Sequence, residues 1–327
     1  MHSLKTCVAI YPPMLDLFVK IPENVLIENG VALDEIVAYS EEKHSKLHTH
    51  IMKIVASNVN AFDSRAGGAT FNTQKILSAR MECYFFGVIG DDIYGEMIVS
   101  KMQNTQVNIQ LDKSKEFKTP WAYVFINGDK RANIAFQESK LCYSKDALDS
   151  IKSQVNRNTV FYFVSFMCML PNIVKDAMEL YKDKETIGFC SVVNLSSKEI
   201  VCKFRTDIIN IIKVSDFIIG NRLEYYALAE VDTEEALIKW LDGLNVAYAI
   251  TDGADEVIGK TPNGPLRRIS PRTVSEEAFT NGAGDSFAAG FIGAMKDKEY
   301  KNITDILPLL QSGVDASYNH ITSHKSG

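Results

Sequence analysis

From residue 160 onward, the chain alternates short apolar runs with amphipathic runs, and this alternation limits the possible folds more than any other feature. The apolar runs are VFYFVSFMCML, TIGFCSVVNLS, SDFIIGN and AYAITDG, and helical spacing of apolar residues follows the first three. Strands that are apolar throughout are typical of parallel sheets covered by helices on both faces. The sequence therefore predicts an α/β fold built on a mostly parallel sheet.

The ends of these predicted strands are where a ligand is expected, because open α/β sheets bind ligands beyond the carboxyl ends of their strands. Five residues occupy such ends: Phe166, Asn194, Asn221, Thr251 and Gly253. A glycine-rich loop near the carboxyl terminus is expected to reach the same edge of the sheet. These positions are the first candidates for a binding site.

That loop belongs to the stretch FTNGAGDSFAAGF, residues 279–291. Its glycines precede apolar residues spaced three or four apart, so they lie where a loop becomes a helix. Backbone N–H groups of Gly282, Ala283 and Gly284 point outward at such a helix start, and the helix dipole adds positive charge that suits an anion. Asp285 beside this anion hole is suited to take a proton. For the short motif alone, an Asp that caps its own helix is the alternative.

A second glycine turn has the sequence AGGATFN, residues 66–72, and precedes a predicted helix that runs to about residue 80. The two glycines, Gly67 and Gly68, permit a close approach of ligand to backbone. For this motif alone, a plain strand–turn–helix unit is the alternative.

Two extended stretches interrupt the βα pattern and predict a second, smaller unit. They are residues 14–21 and 119–138, and the second contains the hairpin turn Asn127-Gly128. Residues 33–57 have helical spacing, and the helix over 41–57 is assigned to the same unit. We therefore expect a large α/β domain of residues 1–16, 66–112 and 141–327, and a small lid domain of residues 17–65 and 113–140.

Composition excludes some classes of function. The chain carries 35 basic and 41 acidic residues without a basic stripe, which disfavours nucleic acid as the main partner. Its longest apolar run, residues 160–170, is about half a bilayer span, so no membrane association is expected. Six cysteines without a CxxC pair indicate reduced thiols, and the start of the chain does not resemble a signal peptide, so a cytoplasmic protein is expected.

The stretch TNGAGDSFAAGF resembles the carboxyl-terminal signature of the ribokinase-like (PfkB) carbohydrate kinases, D-T-x-G-A-G-D-x-F. It is most similar to the adenosine kinase branch, where Asn commonly precedes GAGD. The family's other signature, FxGxxGxDxxG, is carried by Gly87, Gly90, Asp92 and Gly95. The resemblance covers residues 7–320 and implies a ribokinase-like three-layer fold with a small β-lid. No Walker A pattern is present, so a P-loop kinase is excluded.

The resemblance implies roles for the residues on the phosphate side of the site. Asp285 matches the general base, and the backbone of Gly282, Ala283 and Gly284 matches the anion hole. Arg131 matches a lid arginine that reaches the transferring phosphate. Asn221 and Glu224 form the family's N-x-x-E, in which the Glu helps to hold Mg²⁺ through water, although Glu224 alone could be an ordinary first-turn acid. Thr251 and Gly253 resemble the T-x-G phosphate loop.

On the acceptor side, the resemblance implies a sugar site. Asp16 matches an Asp that binds two ribose hydroxyls, Gly67 and Gly68 match glycines that the sugar approaches closely, and Asn72 matches an Asn that contacts a ribose hydroxyl. Aromatic residues are available to sandwich a base, since stacking suits any flat ring. These residues are Tyr11, Trp121, Tyr123 and Phe166.

The implied activity is ATP-dependent phosphorylation of the 5′-hydroxyl of adenosine to AMP, a purine-salvage reaction, with ATP and Mg²⁺ as cofactors and a monomer as the working form. A kinase for another nucleoside or a free sugar, or a silent nucleotide-binding homologue, remains open. Two departures from the family pattern bear on this choice. Pro12 stands where the family has Asn, and Phe279 replaces an Asp that can bind an activating K⁺, so weak or absent K⁺ activation is expected.

Overall fold

The computed structural model describes residues 3–20, 23–31, 36–59, 62–127, 130–274, 280 and 282–323. Its strands are β1 (Thr6–Ile10), β2 (Met14–Val19), β3 (Ile36–Ala38), β4 (Asp63–Gly67), β5 (Glu82–Gly90), β6 (Asn108–Ser114), β7 (Trp121–Asn127), β8 (Lys130–Phe136), β9 (Thr159–Val164), β10 (Cys190–Asn194), β11 (Phe217–Asn221), β12 (Ala247–Thr251), β13 (Val257–Lys260) and β14 (Arg267–Ile269). Its helices are α1 (Glu23–Glu28), α2 (Glu41–Ser57), α3 (Ala69–Leu77), α4 (Ile93–Met102), α5 (Lys145–Gln154), α6 (Pro171–Lys182), α7 (Lys184–Ile187), α8 (Lys198–Lys203), α9 (Arg205–Ile212), α10 (Arg222–Ala229), α11 (Glu234–Leu244), α12 (Ala283–Gly293) and α13 (Leu307–Ser323).

Nine strands form a large sheet in the order β14-β13-β12-β11-β10-β9-β1-β5-β6. Neighbours from β12 to β6 run parallel, whereas β13 and β14 add an antiparallel edge. Apolar cores lie on both faces of this sheet, which explains why strands such as β9 are buried along their whole length. The predicted mostly parallel α/β fold is confirmed, and the antiparallel edge is an addition to it.

A second sheet of five strands has the order β3-β8-β7-β2-β4. Its strands β2, β7 and β8 come from the two stretches that were predicted to be extended. The helix assigned to residues 41–57 is confirmed by α2, whereas the helical spacing that begins at residue 33 is wrong over Ile36–Ala38, which form β3. The boundaries predicted between a large and a small domain stay a prediction.

The two faces of this small sheet differ in what they contact. One face carries Trp121, Tyr123 and Phe125, which belong to the same core as Leu47 and Ile51 of α2. The other face carries Asp16, which is in register with Ala122 of β7. Because registered residues of neighbouring strands share a face, the sheet separates a packed aromatic side from a polar side.

No helix of the described ranges is long and apolar enough to cross a membrane.

Candidate functional site

The amino terminus of α12 forms the centre of the candidate site. Gly282 precedes it in the left-handed region, with φ 83°, a conformation that glycine adopts without strain. The N–H of Ala283 donates to Thr280 O at 3.0 Å, so this group is already used within the turn. The N–H groups of Gly284 and Asp285 belong to the first helical turn, where the helix supplies no acceptor. The N–H groups of Gly284 and Asp285 are therefore the ones that this helix start offers to an anion, and the anion hole predicted from Gly282 to Gly284 stays a prediction.

Asp285 is the carboxylate of this turn, and Asn72 of α3 is its hydrogen-bond donor. The two side chains are 3.3 Å apart, between Asn72 Nδ2 and Asp285 Oδ2. Burial raises the pKa of the Asp285 carboxyl to about 6, while the Asn72 hydrogen bond and the charge of Lys75 act to lower it. A carboxylate with this pKa is ionised at neutral pH and is a better proton acceptor than an exposed Asp.

Asp16 lies on β2 beside the second glycine turn. A Cβ on Gly67 would overlap the Asp16 carboxylate, so a larger residue there would displace this side chain. Gly68 has φ 98° and caps the start of α3, the helix that carries Asn72. Burial raises the pKa of the Asp16 carboxyl to about 6, opposed by the charges of Lys75 and Arg65. The structure thus brings Asp16 of β2 next to the two glycines and Asn72 of the AGGATFN motif.

Lys75 is a functional candidate that sequence reasoning missed. It follows Asn72 by one helical turn, so both side chains extend from the same side of α3. Its Nζ lies 3.5 Å from Ala66 O and 4.9 Å from the centre of the Phe71 ring. Burial lowers the pKa of its ammonium, whereas Asp16 and Asp285 both act to raise it. The i, i+3 spacing from Asn72 was the available sequence signal.

A cavity of about 190 Å³ opens at the carboxyl edge of the large sheet. It brings together residues that were predicted from separate motifs. Its lining consists of Ala69, Asn194, Ser196, Ile219, Gly220, Asn221, Glu224, Thr251, Gly284, Asp285 and Phe287. Gly253 is not part of this lining; it lies exposed in the loop after β12, with φ 56°. The cavity therefore places Asp285, the candidate general base, beside the N-x-x-E turn and Thr251.

Asn221 and Glu224 bind each other in a capping box at the start of α10. Glu224 Oε2 accepts the N–H of Asn221 and Glu224 Oε1 accepts its Nδ2, both at 2.8 Å. Burial raises the pKa of Glu224 to about 7, and the hydrogen bond from the Asn221 N–H opposes this rise. No group of three or more His, Cys, Asp or Glu residues within the described ranges could enclose a metal ion. The pair is thus a preformed helix cap that borders the cavity.

Next to this cap, an ion-pair network ties two loops together, and the sequence did not suggest it. The guanidinium of Arg222 lies 2.5 Å from Asp252 Oδ2 and 2.7 Å from Glu234 Oε2. Asp252 stands between Thr251 and Gly253, so Arg222 connects the β11–α10 turn with the β12–β13 loop. Arg268 extends the network outward by pairing with Glu234 and with Glu256.

Trp121 is packed inside the protein, and its expected stacking on a nucleobase stays a prediction. Its side chain is 3% exposed, and its ring stacks on His48 at 4.8 Å. It lies on the aromatic side of the small sheet, opposite Asp16. Tyr123 is on that side too, with its hydroxyl 2.7 Å from His48 Nδ1. The two-residue period of a strand fixes which residues share a face but not which face is covered by α2.

Of the remaining predicted residues, some are buried or half-buried, and others lie partly or wholly outside the described part of the structure. Phe166 follows β9 in a short 3₁₀ turn and is half-buried between the two cores. Tyr11 is buried, and its hydroxyl donates to Gln137 Oε1 at 3.2 Å. Arg131 lies in β8 opposite Ile126, but its side chain is outside the described part of the structure, as is all of Phe279.

Comparison with known proteins gives a consistent picture. Residues 30–304 match the model of the pfkB family carbohydrate kinases. Adenosine kinase 2 of Arabidopsis thaliana is 25% identical over 307 residues, which cover 86% of this chain and 85% of that protein.

Solved structures resemble the chain along nearly its whole length. Adenosine kinase from Schistosoma mansoni in complex with adenosine, in an occluded loop conformation, has a TM-score of 0.76 and 21% identity and covers 100% of this chain and 97% of its own. A probable sugar kinase from Rhizobium etli has a TM-score of 0.77 and 17% identity, with 98% and 94% covered. These likenesses confirm the ribokinase-like fold. Since the family model matches most of its length, the chain belongs to the pfkB family of carbohydrate kinases.

Proposed function

We propose that the protein transfers the γ-phosphoryl group of ATP to the 5′-hydroxyl of a ribonucleoside, with adenosine as the preferred acceptor. The observation that carries this proposal is the hydrogen bond between Asn72 and Asp285. It links the glycine turn beside Asp16 to the anion-binding turn of α12. An acceptor held by Asp16 would thus lie next to a general base, Asp285, and next to the anion-binding turn of α12.

Asp285 is the proton acceptor in this proposal. With a pKa of about 6 it is ionised at neutral pH, and its carboxylate lines the cavity. It takes the proton of the 5′-hydroxyl as the oxygen attacks phosphorus, while the bond to the leaving oxygen of ADP breaks. After this proton transfer, Lys75 faces only one charged carboxylate, that of Asp16. The positive charge of Lys75 stabilises the ionised form of Asp285 more than the protonated form.

The phosphate groups are held mostly by backbone dipoles. The N–H groups of Gly284 and Asp285 and the positive end of the α12 dipole face the growing charge on the phosphoryl oxygens. Thr251 adds a hydroxyl at the same cavity, and Gly253 leaves its loop open to a phosphate chain. Arg131 is assigned to the transferring group when the small sheet closes and excludes water.

Mg²⁺ fits this site only as a partner of the nucleotide. Glu224 is a single buried carboxylate whose two oxygens already accept hydrogen bonds from Asn221. Mg²⁺ usually keeps several waters and binds one or two carboxylates together with substrate phosphates. Glu224 would therefore hold the ion through water, with Asn221 keeping the carboxylate in place. The bound ion would supply charge neutralisation between the donor phosphates.

Adenosine is favoured as the acceptor for two reasons. Asp16 can accept hydrogen bonds from two neighbouring hydroxyls, which suits the cis-diol of a ribose. The Arabidopsis thaliana and Schistosoma mansoni relatives are named adenosine kinases, and the latter was solved with adenosine bound. We expect the protein to work as a cytoplasmic monomer with nucleoside and ATP as its partners. A free sugar is the second candidate, because a probable sugar kinase shares the fold.

An assay of ADP production with a panel of acceptors tests the proposal. We expect adenosine to be phosphorylated far better than ribose or fructose, and 2′-deoxyadenosine to be much poorer because it leaves Asp16 with an unused acceptor. Preference for ribose or fructose would instead assign the protein to the sugar kinases. Nucleoside binding by calorimetry without turnover would identify a silent binder.

A further inference from the structure

Two side-chain amides near the small sheet have buried atoms without hydrogen-bond partners. They are Oδ1 of Asn133 and Nε2 of Gln137, and neither has a partner among the described residues. Leaving a buried polar atom unpaired costs roughly 1–3 kcal/mol. Native proteins rarely keep such atoms without a reason, and pairing with a ligand is one such reason.

Both amides lie on the same side of the small sheet as Asp16. In the ladder between β7 and β8, Val124 is in register with Asn133 and Ala122 with Ala135. Asp16 is in register with Ala122, so Asp16, Ala122 and Ala135 form one row across three strands. Gln137 is the first residue after β8, and we place it on this side from the two-residue period of the strand. This side faces away from the aromatic cluster around Trp121.

The row of small residues provides a floor for a flat ring. Ala122 and Ala135 have only a methyl group each, and they lie one and two strands away from Asp16, about 5 and 10 Å. Asn133 and Gln137 stand four residues apart on either side of Ala135, which corresponds to about 14 Å between their Cα atoms. A two-ring base lying on the alanines would have one amide at each end and its ribose over Asp16.

Gln137 is fixed in its orientation by the chain itself. Its Oε1 accepts the hydroxyl of Tyr11 at 3.2 Å, so its Nε2 is left to donate. Asn133 presents the opposite chemistry, an oxygen that can only accept. The two ends of the floor are therefore complementary to a base with a hydrogen-bond donor at one end and an acceptor at the other.

We propose that Asn133 and Gln137 are specificity-determining residues that bind the base of the acceptor, and that the acceptor is a purine nucleoside with a hydrogen-bond donor on its six-membered ring. This inference rests on the proposed function, since it names the base that the acceptor site selects. Asn133 accepts the N–H of the base, and Gln137 donates to a ring nitrogen. A free sugar leaves both amides unpaired, and a site of this kind discriminates strongly against ligands that lack the matching group.

Purine riboside tests the role of Asn133, because it differs from adenosine only by lacking the 6-amino group. We expect the native protein to prefer adenosine over purine riboside in kcat/KM by at least about tenfold. Asn133→Leu should lower kcat/KM for adenosine by about tenfold and change that for purine riboside by less than about twofold. The preference should then disappear. An equal preference in Asn133→Leu and the native protein would overturn the assignment.

Gln137→Leu gives the second measurement. It should weaken adenosine and purine riboside alike, because both carry ring nitrogens, and it should leave the KM for ATP unchanged. Gln110→Leu is the matched control, since Gln110 is exposed on β6 of the large sheet. If Gln137→Leu and Gln110→Leu behave alike, Gln137 does not bind the base.

Thermal unfolding without ligand separates recognition from a structural role. Asn133→Leu removes an unpaired buried oxygen, so it should unfold at the same or a higher temperature than the native protein. A clear loss of stability would mean that Asn133 has a structural partner, and would contradict the inference. Calorimetry with adenosine and purine riboside gives the same comparison if no turnover occurs. Equal binding of ribose and adenosine would overturn the base assignment alone, whereas no binding of any acceptor would overturn the proposed function.

Discussion

The proposed phosphate side and the proposed acceptor side of the candidate site are built in opposite ways. On the phosphate side, Asn221 and Glu224 satisfy each other, and Arg222 is held by Asp252 and Glu234. On the acceptor side, Asn133 and Gln137 keep unpaired buried atoms. The first side is organised before any ligand binds, whereas the second gains hydrogen bonds only when a ligand arrives. Selectivity is therefore expected to reside mainly on the acceptor side.

Asp285 belongs to both sides, and its loss should have the largest effect. Asp285→Asn keeps the size of the side chain and removes the proton acceptor, so kcat should fall by at least roughly 100-fold with the acceptor KM little changed. Steady-state kinetics with adenosine and ATP measure this. A kcat near the native value would place the base elsewhere.

Lys75 connects the acceptor side to the base, and its removal should have an intermediate effect that depends on pH. Asp285 must be ionised to act, so activity falls as the pH drops through its pKa of about 6. Lys75→Met removes a charge that lowers the pKa of both Asp285 and Asp16, so the acid limb of kcat/KM should move to higher pH by roughly one unit.

The charge of Lys75 can be separated from its packing by two controls. Lys75→Arg should restore the native acid limb, because it returns the positive charge. At pH 8, Lys75→Met should approach the native rate, since Asp285 is then ionised in both proteins. A uniform loss of activity at every pH would give Lys75 a packing role only.

Arg222 tests the organised side, and the smallest effect is expected there. Arg222→Met should raise the KM for ATP by a few-fold and leave that for adenosine unchanged, because it frees the β12–β13 loop without touching the acceptor. Arg268→Met, which breaks only the outer part of the network, is the control and should change neither constant. Equal increases in both KM values would contradict the division between the two sides.

The class of the fold could be predicted from the sequence, because strands such as β9 and β10 are apolar almost throughout and alternate with helices. The strand β3 before α2 could not be predicted. Residues 33–57 have helical spacing, yet pairing with β8 draws Ile36–Ala38 into a strand. Tertiary pairing overrides local preference in such a short segment.

Most of the candidate residues were predicted from glycine turns, helix starts or strand ends. Asp285, Asn72 and Glu224 lie in such motifs. In the structure, Asp285 is hydrogen-bonded to Asn72 and lines the same cavity as Glu224. Lys75 and Arg222 were missed because an isolated basic residue on a helix is usually solvated. The burial of Trp121 could not be predicted because α2, rather than any property of β7, decides which side of the small sheet is covered.

The alternation of β7 and β8 also affects how this protein can change over generations. Residues that build the aromatic core and residues that we assign to the acceptor site occupy alternate positions of the same strands, as Trp121 and Ala122 do. A substitution at a position assigned to the acceptor site does not change the side chains of the aromatic core. Such substitutions are therefore expected to alter substrate preference with little loss of folding stability. A one-residue insertion, by contrast, exchanges the two sets and damages both at once. These strands should therefore accept many replacements and almost no changes in length.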